Sequence, residues 1–388
     1  MDLYRPVVEK VLFPVLEAVR GRPTVPLLQF VRGSEHWSLE ALRDLQAGLL
    51  RRLIRHAATH TEHYRTVLAA RRMAPEDVTT TADLRHLPLL GRDEARDTLD
   101  ARTAASPAWD VETTTRGFSG PQVTVRYTAE ARNWRDAARW RGYGWAGYRV
   151  GMRALHYWCE PAPSAGWLAR GKSALDHALK RDLHVDCVVR SEPALARAVE
   201  QVRSFAPEVI VAHADGAAAL ARFVNQHGLR SWRDTPVILA ASRLWPHDRA
   251  QIEAAFGPAF ETYGCREVQL IAAECEAHDG MHTSMENLIV EVVVRSPDGN
   301  VRAARPGEVG EVAVTDLHNL ACPMIRYLTG DLAIARRDAR CACGRGLATI
   351  GAIDGRVAPI ADEIPLGSTG RRQVVGGEPA APRSVMLA

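Results

Sequence analysis

The feature that most constrains the fold is a regular alternation of helical and strand-like segments that begins at Ser191. An amphipathic helical stretch comes first and is ended by Pro207, and the short apolar run 209–212 that follows is typical of a buried strand. A second amphipathic stretch separates this run from another at 236–240. Strands that alternate with helices in this way predict an α/β domain, in which helices cover a largely parallel sheet.

The segments on either side of this alternation have different patterns. Residues 38–70 carry apolar side chains at the spacing of one helical face. Two strand-like runs, 288–294 and 310–315, are separated by a turn signal at 296–299, which predicts a hairpin. Residues 361–388 are rich in glycine, proline, serine and arginine, a composition that buries little apolar surface. We therefore predict a helical region over 1–100, an α/β core over 101–285, a β-rich subdomain over 286–358 and a flexible tail over 359–388.

The composition argues against several classes of protein. Lysine and arginine number 49 and aspartate and glutamate 46, and a net charge of +3 does not indicate a nucleic-acid surface. No run of apolar residues is long enough to span a membrane, and the first residues do not have the pattern of a signal peptide. Seven cysteines without a secretion signal favour reduced thiols or metal ligands over disulfides. We therefore expect a cytoplasmic protein that binds neither nucleic acid nor membrane.

A segment rich in hydroxyl groups and glycine lies just before a strand-like run. It contains Thr113, Thr114 and Thr115, followed by Ser119 and Gly120. Backbone N–H groups and hydroxyls at this density suit a bound anion, and phosphate is the usual one. The lysine of a Walker loop is missing, so that motif is not met. A plain turn between two strands is the alternative interpretation of this segment.

Three further motifs follow this hydroxyl-rich segment along the chain. They are Tyr263-Gly264-x-x-Glu267, Arg326-Tyr327-x-Thr329-Gly330-Asp331 and Gly355-Arg356. Their order resembles the adenylate-forming superfamily of acyl-CoA synthetases, and within it the phenylacetate–CoA ligase branch with its capsule-biosynthesis relatives. The resemblance covers roughly residues 40–358. It implies a multi-layer α/β fold: a large adenylation domain with mixed and parallel sheets flanked by helices, a nucleotide-binding core and a smaller β-rich subdomain.

The resemblance also implies an AMP-forming ligase reaction. A carboxylate, aryl or acyl, attacks the α-phosphate of ATP to give an acyl-adenylate and pyrophosphate. A thiol such as coenzyme A, or another acceptor, then takes the acyl group and AMP is released. In this reaction Thr113, Thr114, Thr115 and Ser119, together with glycine N–H groups such as that of Gly120, would hold the β- and γ-phosphates.

The remaining motif residues receive roles from the same resemblance. Glu267 would bind Mg²⁺, a hard cation that prefers carboxylate oxygen. Asp331 would accept hydrogen bonds from both ribose hydroxyls, and Arg356 would contact the ribose or the phosphates. Tyr263 and Gly264 would lie against the adenine and the acyl pocket. Glu267 and Arg356 are thus the predicted catalytic residues.

The sequence departs from the pattern of the resembled family at several positions. Arg116 and Phe118 replace hydroxyl residues, Gln122 stands in place of a proline, and Ser242 in place of a glutamate. The family's C-terminal lid supplies a lysine for adenylation, and no lysine follows Lys180 here. Losing such a cation typically lowers the rate by about 10²–10³. Either a partner supplies the lid, or the chain is a catalytically impaired nucleotide-binding homologue that acts as a regulatory or partner subunit.

Two further expectations concern assembly and the end of the chain. Relatives in this branch are often dimers, which makes a homodimer an expectation. The featureless residues 361–388 leave a damaged reading frame as another explanation for the missing lid.

A second constellation has the residue types of a zinc site. Cys275 and His278 are three positions apart, and Cys341 and Cys343 follow downstream. Four sulfur and nitrogen ligands in two short clusters suit tetrahedral, structural Zn²⁺. His282 is an alternative to His278 as the fourth ligand. The competing interpretation is four reduced residues without a metal.

Overall fold

A computed structural model describes residues 4–115, 122–159, 177–296 and 299–357 of the 388-residue chain. Two of the predicted phosphate-loop residues, Ser119 and Gly120, lie outside the described residues. The same is true of the predicted tail over 359–388.

The first part of the described chain is helical. Its elements are α1 (Tyr4–Val7), a π-helical turn (Val8–Leu12), α2 (Phe13–Val19), α3 (Thr24–Ser34), α4 (Leu39–His60), α5 (Glu62–Arg71), 3₁₀ turns at Pro75–Asp77 and Thr81–His86, α6 (Arg92–Asp97) and α7 (Leu99–Arg102). The helical pattern over 38–70 is therefore two helices rather than one. Thr61 separates them because its backbone is extended and its hydroxyl accepts a hydrogen bond from the Tyr64 N–H, which caps α5.

A short hairpin and one long helix come next. Strands β1 (Val111–Thr114) and β2 (Thr124–Tyr127) pair antiparallel. Thr128 then caps α8 (Ala129–Trp145), its side chain accepting from the Ala131 N–H at 3.2 Å. The hydroxyl-rich segment begins on β1, so the hairpin positions its first residues.

The α/β region contains what we call the large sheet. Its strands are β3 (Ala154–Trp158), β4 (Asp182–Asp186), β5 (Val209–His213), β6 (Val237–Ala240), β7 (Ala259–Cys265), β8 (Gln269–Glu274), β9 (Met281–Thr283) and β14 (Thr349–Ile350). In the described part of the chain their order is β14-β9-β8-β7-β6-β5-β3-β4. Strands β4, β3, β5, β6 and β7 run parallel, and the pairs from β7 to β14 are antiparallel.

Helices cover both faces of the large sheet, as the alternating pattern predicts. They include α9 (Glu192–Phe205), α10 (Ala214–Gln226) and α11 (Pro246–Ala255). On one face, side chains of all three pack with Leu155 and Tyr157 of β3 in one apolar cluster. On the opposite face, Ala154 and Val211 pack with Tyr148, just beyond α8. The α/β fold class is confirmed.

Antiparallel strands form a second unit, the small sheet. Its strands are β10 (Leu288–Arg295), β11 (Val301–Ala303), β12 (Val309–Asp316), β13 (Tyr327–Ile334) and β15 (Ile353–Arg356), in the order β11-β10-β12-β13-β15 among the described residues. The predicted direct hairpin between 288–294 and 310–315 is only partly right. These strands do pair, but β11 lies between them in the chain and folds back on β10 first. Of the turn itself, residues 297–298 fall outside the described residues.

The two sheets share one apolar core, and this places the distant motifs together. Tyr263 and Ile271 of the large sheet are buried in the same cluster as Val312, Val314 and Tyr327 of the small sheet. The element types change near residues 100 and 286, but the predicted domain boundaries stay predictions. In the part of the chain that the structure describes, no helix has both the length and the apolar character needed to cross a membrane.

Candidate functional site

Residues of β7, β13 and β15 line a cleft of about 490 Å³. Six of the predicted site residues line it: Thr115, Tyr263, Gly264, Glu267, Asp331 and Arg356. They come from segments between Thr115 and Arg356, which are 241 positions apart in the sequence, so the shared cleft is a property of the fold. The convergence that the motif order implies is therefore present for every motif whose residues are described.

Asp331 is the centre of a hydrogen-bonded group in this cleft. Its Oδ2 accepts from the Tyr263 hydroxyl at 3.0 Å, and its Oδ1 accepts from Arg356 Nε at 2.5 Å. The register of the small sheet places Asp331 opposite Arg356 on neighbouring strands. Burial raises the pKa of Asp331, and the charge of Arg356 opposes that rise. Each carboxylate oxygen keeps a second lone pair, so the group can still accept hydrogen bonds from a ligand.

Glu267 lies nearby and is almost fully buried, with 2% of its surface exposed. Its Oε1 accepts from the Tyr327 hydroxyl at 2.8 Å and from Arg92 Nη1 at 3.2 Å. Arg92 belongs to α6 and also reaches the Thr329 carbonyl at 3.4 Å. A charge that is buried this deeply is stable only when it is paired, and Arg92 supplies the opposite charge.

The hydroxyl-rich segment contacts the cleft through its last described residue. Thr115 lines the cleft, and its hydroxyl accepts from the Val123 N–H at 2.9 Å. The hydroxyls of Thr114 and Thr124 lie 2.9 Å apart across the hairpin, and Arg266 Nη1 donates to the Thr114 carbonyl at 3.1 Å. Thr113 and Thr114 lie on β1 and are absent from the described lining of the cleft.

Sequence reasoning missed several charged residues of the cleft. Arg92, Arg243, Arg266 and Glu261 all line it. Together with the predicted Glu267, Asp331 and Arg356, the cleft lining therefore contains four arginines and three carboxylates. This excess of positive charge favours an anionic ligand. Glu261 is a charged residue inside the largely apolar strand Ala259–Cys265, and this position could have marked it as a candidate site residue. The arginines had no such signal, because surface arginines are common throughout this chain.

Glu261 differs from the other two carboxylates of the cleft. Burial, and then the nearby charge of Glu274, raise its pKa to about 7. Arg249 acts in the opposite direction, but its Nη2 is already bonded to both oxygens of Glu274 at 2.9 and 2.8 Å. Glu261 is therefore partly protonated near neutral pH, and the charge of the cleft changes with pH in that range.

The second constellation also comes together, with one change of ligand. Cys275 Sγ lies 3.8 Å from Cys341 Sγ, and Cys343 Sγ lies 3.3 Å from His282 Nε2. One ligand atom from each of these four residues lies within 4.8 Å of the others. The His282 Nδ1 is 3.2 Å from the Leu347 carbonyl, an interaction that orients Nε2 towards the sulfurs.

In the described structure His282, the alternative to the predicted His278, is the histidine that lies with the three cysteines. His278 has a left-handed backbone, φ 49°, in the turn that follows β8, and its Nδ1 lies 3.5 Å from Glu274 Oε2 instead. The antiparallel register of β8 and β9 pairs Ala273 with His282, which returns His282 to the side of Cys275. Three thiols and one imidazole at these distances are a donor set that fits tetrahedral Zn²⁺.

Comparisons with known proteins agree with the fold. No family model matches the chain. It is 28% identical to the phenylacetate–coenzyme A ligase of Thermus thermophilus over 325 residues, which cover 82% of this chain and 71% of that enzyme. The corresponding enzyme of Pseudomonas putida is 28% identical over 305 residues, covering 76% of this chain and 67% of its relative.

A solved structure of 2-hydroxyisobutyryl-CoA ligase in the postadenylation state, in complex with R3-HIB-AMP, superposes with a TM-score of 0.67. The match covers 84% of this chain and 69% of that one at 17% identity, so it concerns the fold alone. In fold, the chain is thus similar to a CoA ligase. In sequence it is similar to four phenylacetate–CoA ligases at 26–28% identity, and the resemblance noted in the sequence is confirmed.

Proposed function

We propose that the chain activates a carboxylic acid with ATP and passes the acyl group to coenzyme A or another acceptor. The observation that carries the proposal is the assembly of Tyr263, Glu267, Asp331 and Arg356 in one positively charged cleft. The relatives bear the name phenylacetate–CoA ligase, which makes an aryl or acyl carboxylate the substrate class to test first.

The nucleotide would occupy the cleft with its ribose at Asp331. Both oxygens of Asp331 are held in place by Tyr263 and Arg356, and their remaining lone pairs would accept the two ribose hydroxyls. The phosphates would lie near Arg266 and Thr115, where the hydroxyl-rich segment approaches the cleft. Arginine charges held in place before the reaction stabilise negative charge that develops on the phosphorus oxygens.

Mg²⁺ would be held by Glu267 together with the phosphates of the nucleotide. A single carboxylate plus substrate phosphates is a usual environment for this ion, so the donor set fits. Bound there, Mg²⁺ would neutralise phosphate charge. Since Arg92 bonds to Oε1 of Glu267, the metal and Arg92 would share this carboxylate.

A second candidate is a nucleotide-binding subunit without adenylating activity. Two observations favour it: the hydroxyls of Thr114 and Thr115 already have hydrogen-bonding neighbours within the hairpin, and Glu267 is already neutralised by Arg92. In the part of the chain that the structure describes, the basic residues that line the cleft are all arginines. In this case the chain binds ATP and a partner protein carries the chemistry.

Pyrophosphate exchange separates the two candidates. The full chain is incubated with ATP, labelled pyrophosphate and a panel of aryl and acyl carboxylates, with and without a separately produced lid domain. Acid-dependent exchange supports the ligase, whereas calorimetric ATP binding without exchange under any condition supports the binding subunit. Asp331→Asn should abolish exchange. Asp234→Asn is the matched control, because Asp234 is exposed and lies outside the described lining of the cleft.

We further propose that Cys275, His282, Cys341 and Cys343 bind a structural Zn²⁺ ion. The ion would tie the segment around residues 341–343 to β8 and β9, which is a folding role because all four ligands would come from the protein. Zinc analysis of the purified chain should give about one ion per chain, the content of one four-ligand site. The cytoplasmic location and the homodimer stay predictions.

A further inference from the structure

A cluster of histidines lies at the opposite end of the large sheet from β14. In the described residues β4 is the terminal strand there, and it runs parallel to β3. The register pairs Ala154 with Asp182 and His156 with His184. Because side chains alternate between the two faces of a strand, Asp182, His184 and His156 share one face. The helical residues 177–180 precede β4 and bring His177 to the same place.

The distances within this cluster are those of a potential metal site. His156, Asp182 and His184 each offer one ligand atom, and these three atoms lie within 4.8 Å of one another. His156 Nε2 is 3.5 Å from Asp182 Oδ1, and His177 Nδ1 is 3.8 Å from Asp182 Oδ2. The His184 ring lies 4.7 Å from that of His156 and 4.5 Å from that of His177, centroid to centroid.

Two ring nitrogens in the cluster are buried without a hydrogen bond. His156 Nε2 and His177 Nδ1 have no hydrogen-bonding neighbour in the part of the chain that the structure describes. They lie 3.5 and 3.8 Å from the Asp182 carboxylate oxygens, which is too far for a good hydrogen bond. A lone pair facing a carboxylate is unfavourable unless a proton or another cation lies between them. A metal ion at this position would satisfy both nitrogens and the carboxylate together.

We propose that His156, Asp182 and His184 bind a divalent transition-metal ion, with His177 placed to act as a fourth ligand. Imidazole and carboxylate are ligands that suit zinc, nickel and copper. The site is separate from the cysteine cluster, which involves β8 and β9, and from the nucleotide cleft. His184 is exposed, so the ion can exchange with solvent, and binding would fasten residues 177–180 to the terminal strand.

The competing explanation is a polar face that protects a terminal strand from pairing with another chain. Charged and polar side chains are a common protection of such strands. That explanation requires no ion and predicts no metal affinity above that of an ordinary exposed histidine. The chain offers such a reference in His247, whose Nε2 lies 3.4 Å from Asp248 Oδ2 without a second histidine in the pair.

Cobalt titration of the full chain, produced without a histidine tag, tests the proposal. Co²⁺ bound by imidazole and carboxylate gives visible ligand-field bands without the thiolate charge-transfer band that the cysteine cluster would produce. We expect a component of the first kind in the wild type. His184→Gln should weaken it by at least about tenfold, because even the loss of a group that only orients a metal ligand typically costs about 10–100-fold in affinity. His247→Gln should leave it unchanged.

A second variant and a folding control make the outcome decisive. Asp182→Asn should weaken the same component, while circular dichroism reports whether each variant is folded. The proposal is overturned if the folded wild type shows only the thiolate-linked signal. It is equally overturned if folded His184→Gln and Asp182→Asn bind Co²⁺ with wild-type affinity.

Discussion

Glu261 is a carboxyl group whose charge is unfavourable in the folded protein. It lies on β7, and burial and Glu274 raise its pKa to about 7 from an ordinary value of 4.5. The Glu261→Gln variant keeps an oxygen that can accept the hydrogen bond from the Leu244 backbone, but it removes the charge. We therefore expect this substitution to stabilise the protein at alkaline pH.

The sign and size of the effect follow from the two pKa values. Between pH 4.5 and about 7 the folded protein binds more protons at Glu261 than the unfolded chain does, so stability falls as the pH rises through this range. The difference between the two values corresponds to about 3 kcal/mol. The free energy of unfolding of Glu261→Gln should thus exceed that of the wild type by up to about 3 kcal/mol at pH values of about 8 and above, with little gain below about 4.5.

Denaturant unfolding followed by circular dichroism measures this difference at several pH values. Glu200→Gln, in a side chain that is 65% exposed on α9, is the matched control and should change stability by less than about 0.5 kcal/mol. A gain that does not depend on pH would refute the reasoning, because it would come from packing rather than from charge. A loss of stability at alkaline pH would refute it as well.

Three other substitutions test the cleft, the zinc site and the core. Asp331→Asn should weaken ATP binding by about tenfold or more, measured by calorimetry, because one charge-assisted acceptor is worth about 1.5–3 kcal/mol; unchanged affinity would place the ribose elsewhere. Cys343→Ser should lose bound zinc and lower the melting temperature, whereas Cys187→Ser should keep the zinc. Arg135→Met should destabilise by about 3–5 kcal/mol, since it leaves the buried Asp316 carboxylate, 2.7 Å away, unpaired; an effect below about 1 kcal/mol in denaturant unfolding would contradict this.

The fold was predictable where local pattern and tertiary environment agree. The apolar runs at 209–212 and 236–240 are buried on both faces, and they became β5 and β6 within one residue at each end. The short strand Val301–Ala303 gave no such signal, because it lies at an edge and is partly exposed. Its pairing with β10 depends on a neighbouring strand, which a local reading of the sequence does not include.

Residues of the candidate site were predictable where a sequence motif identifies them. They were not predictable where helix packing or the pairing register of the strands determines which side chains lie together. Tyr263, Asp331 and Arg356 were identified from motif order, and the sheets bring them together. Arg92 was missed because helix α6 approaches β13 only through tertiary packing. The histidine of the cysteine cluster depends on register for a similar reason: three-residue spacing favoured His278, whereas strand pairing places His282 beside the cysteines.

The pairing of charges in the cleft bears on how a nucleotide would enter. Asp331 is held by Arg356 and Glu267 by Arg92, so no carboxylate of these two pairs is exposed as an isolated charge before the nucleotide arrives. The phosphates would lie close to the two arginines, while the ribose hydroxyls and Mg²⁺ would use the remaining lone pairs of the carboxylates that these arginines hold. Each charged group then keeps an oppositely charged neighbour, and nucleotide binding avoids the large desolvation penalty of an unpaired buried charge. If the cleft binds ATP as proposed, Arg92 and Arg356 should contribute to ATP affinity whether the chain adenylates a substrate or only binds the nucleotide, and pyrophosphate exchange would separate the two roles.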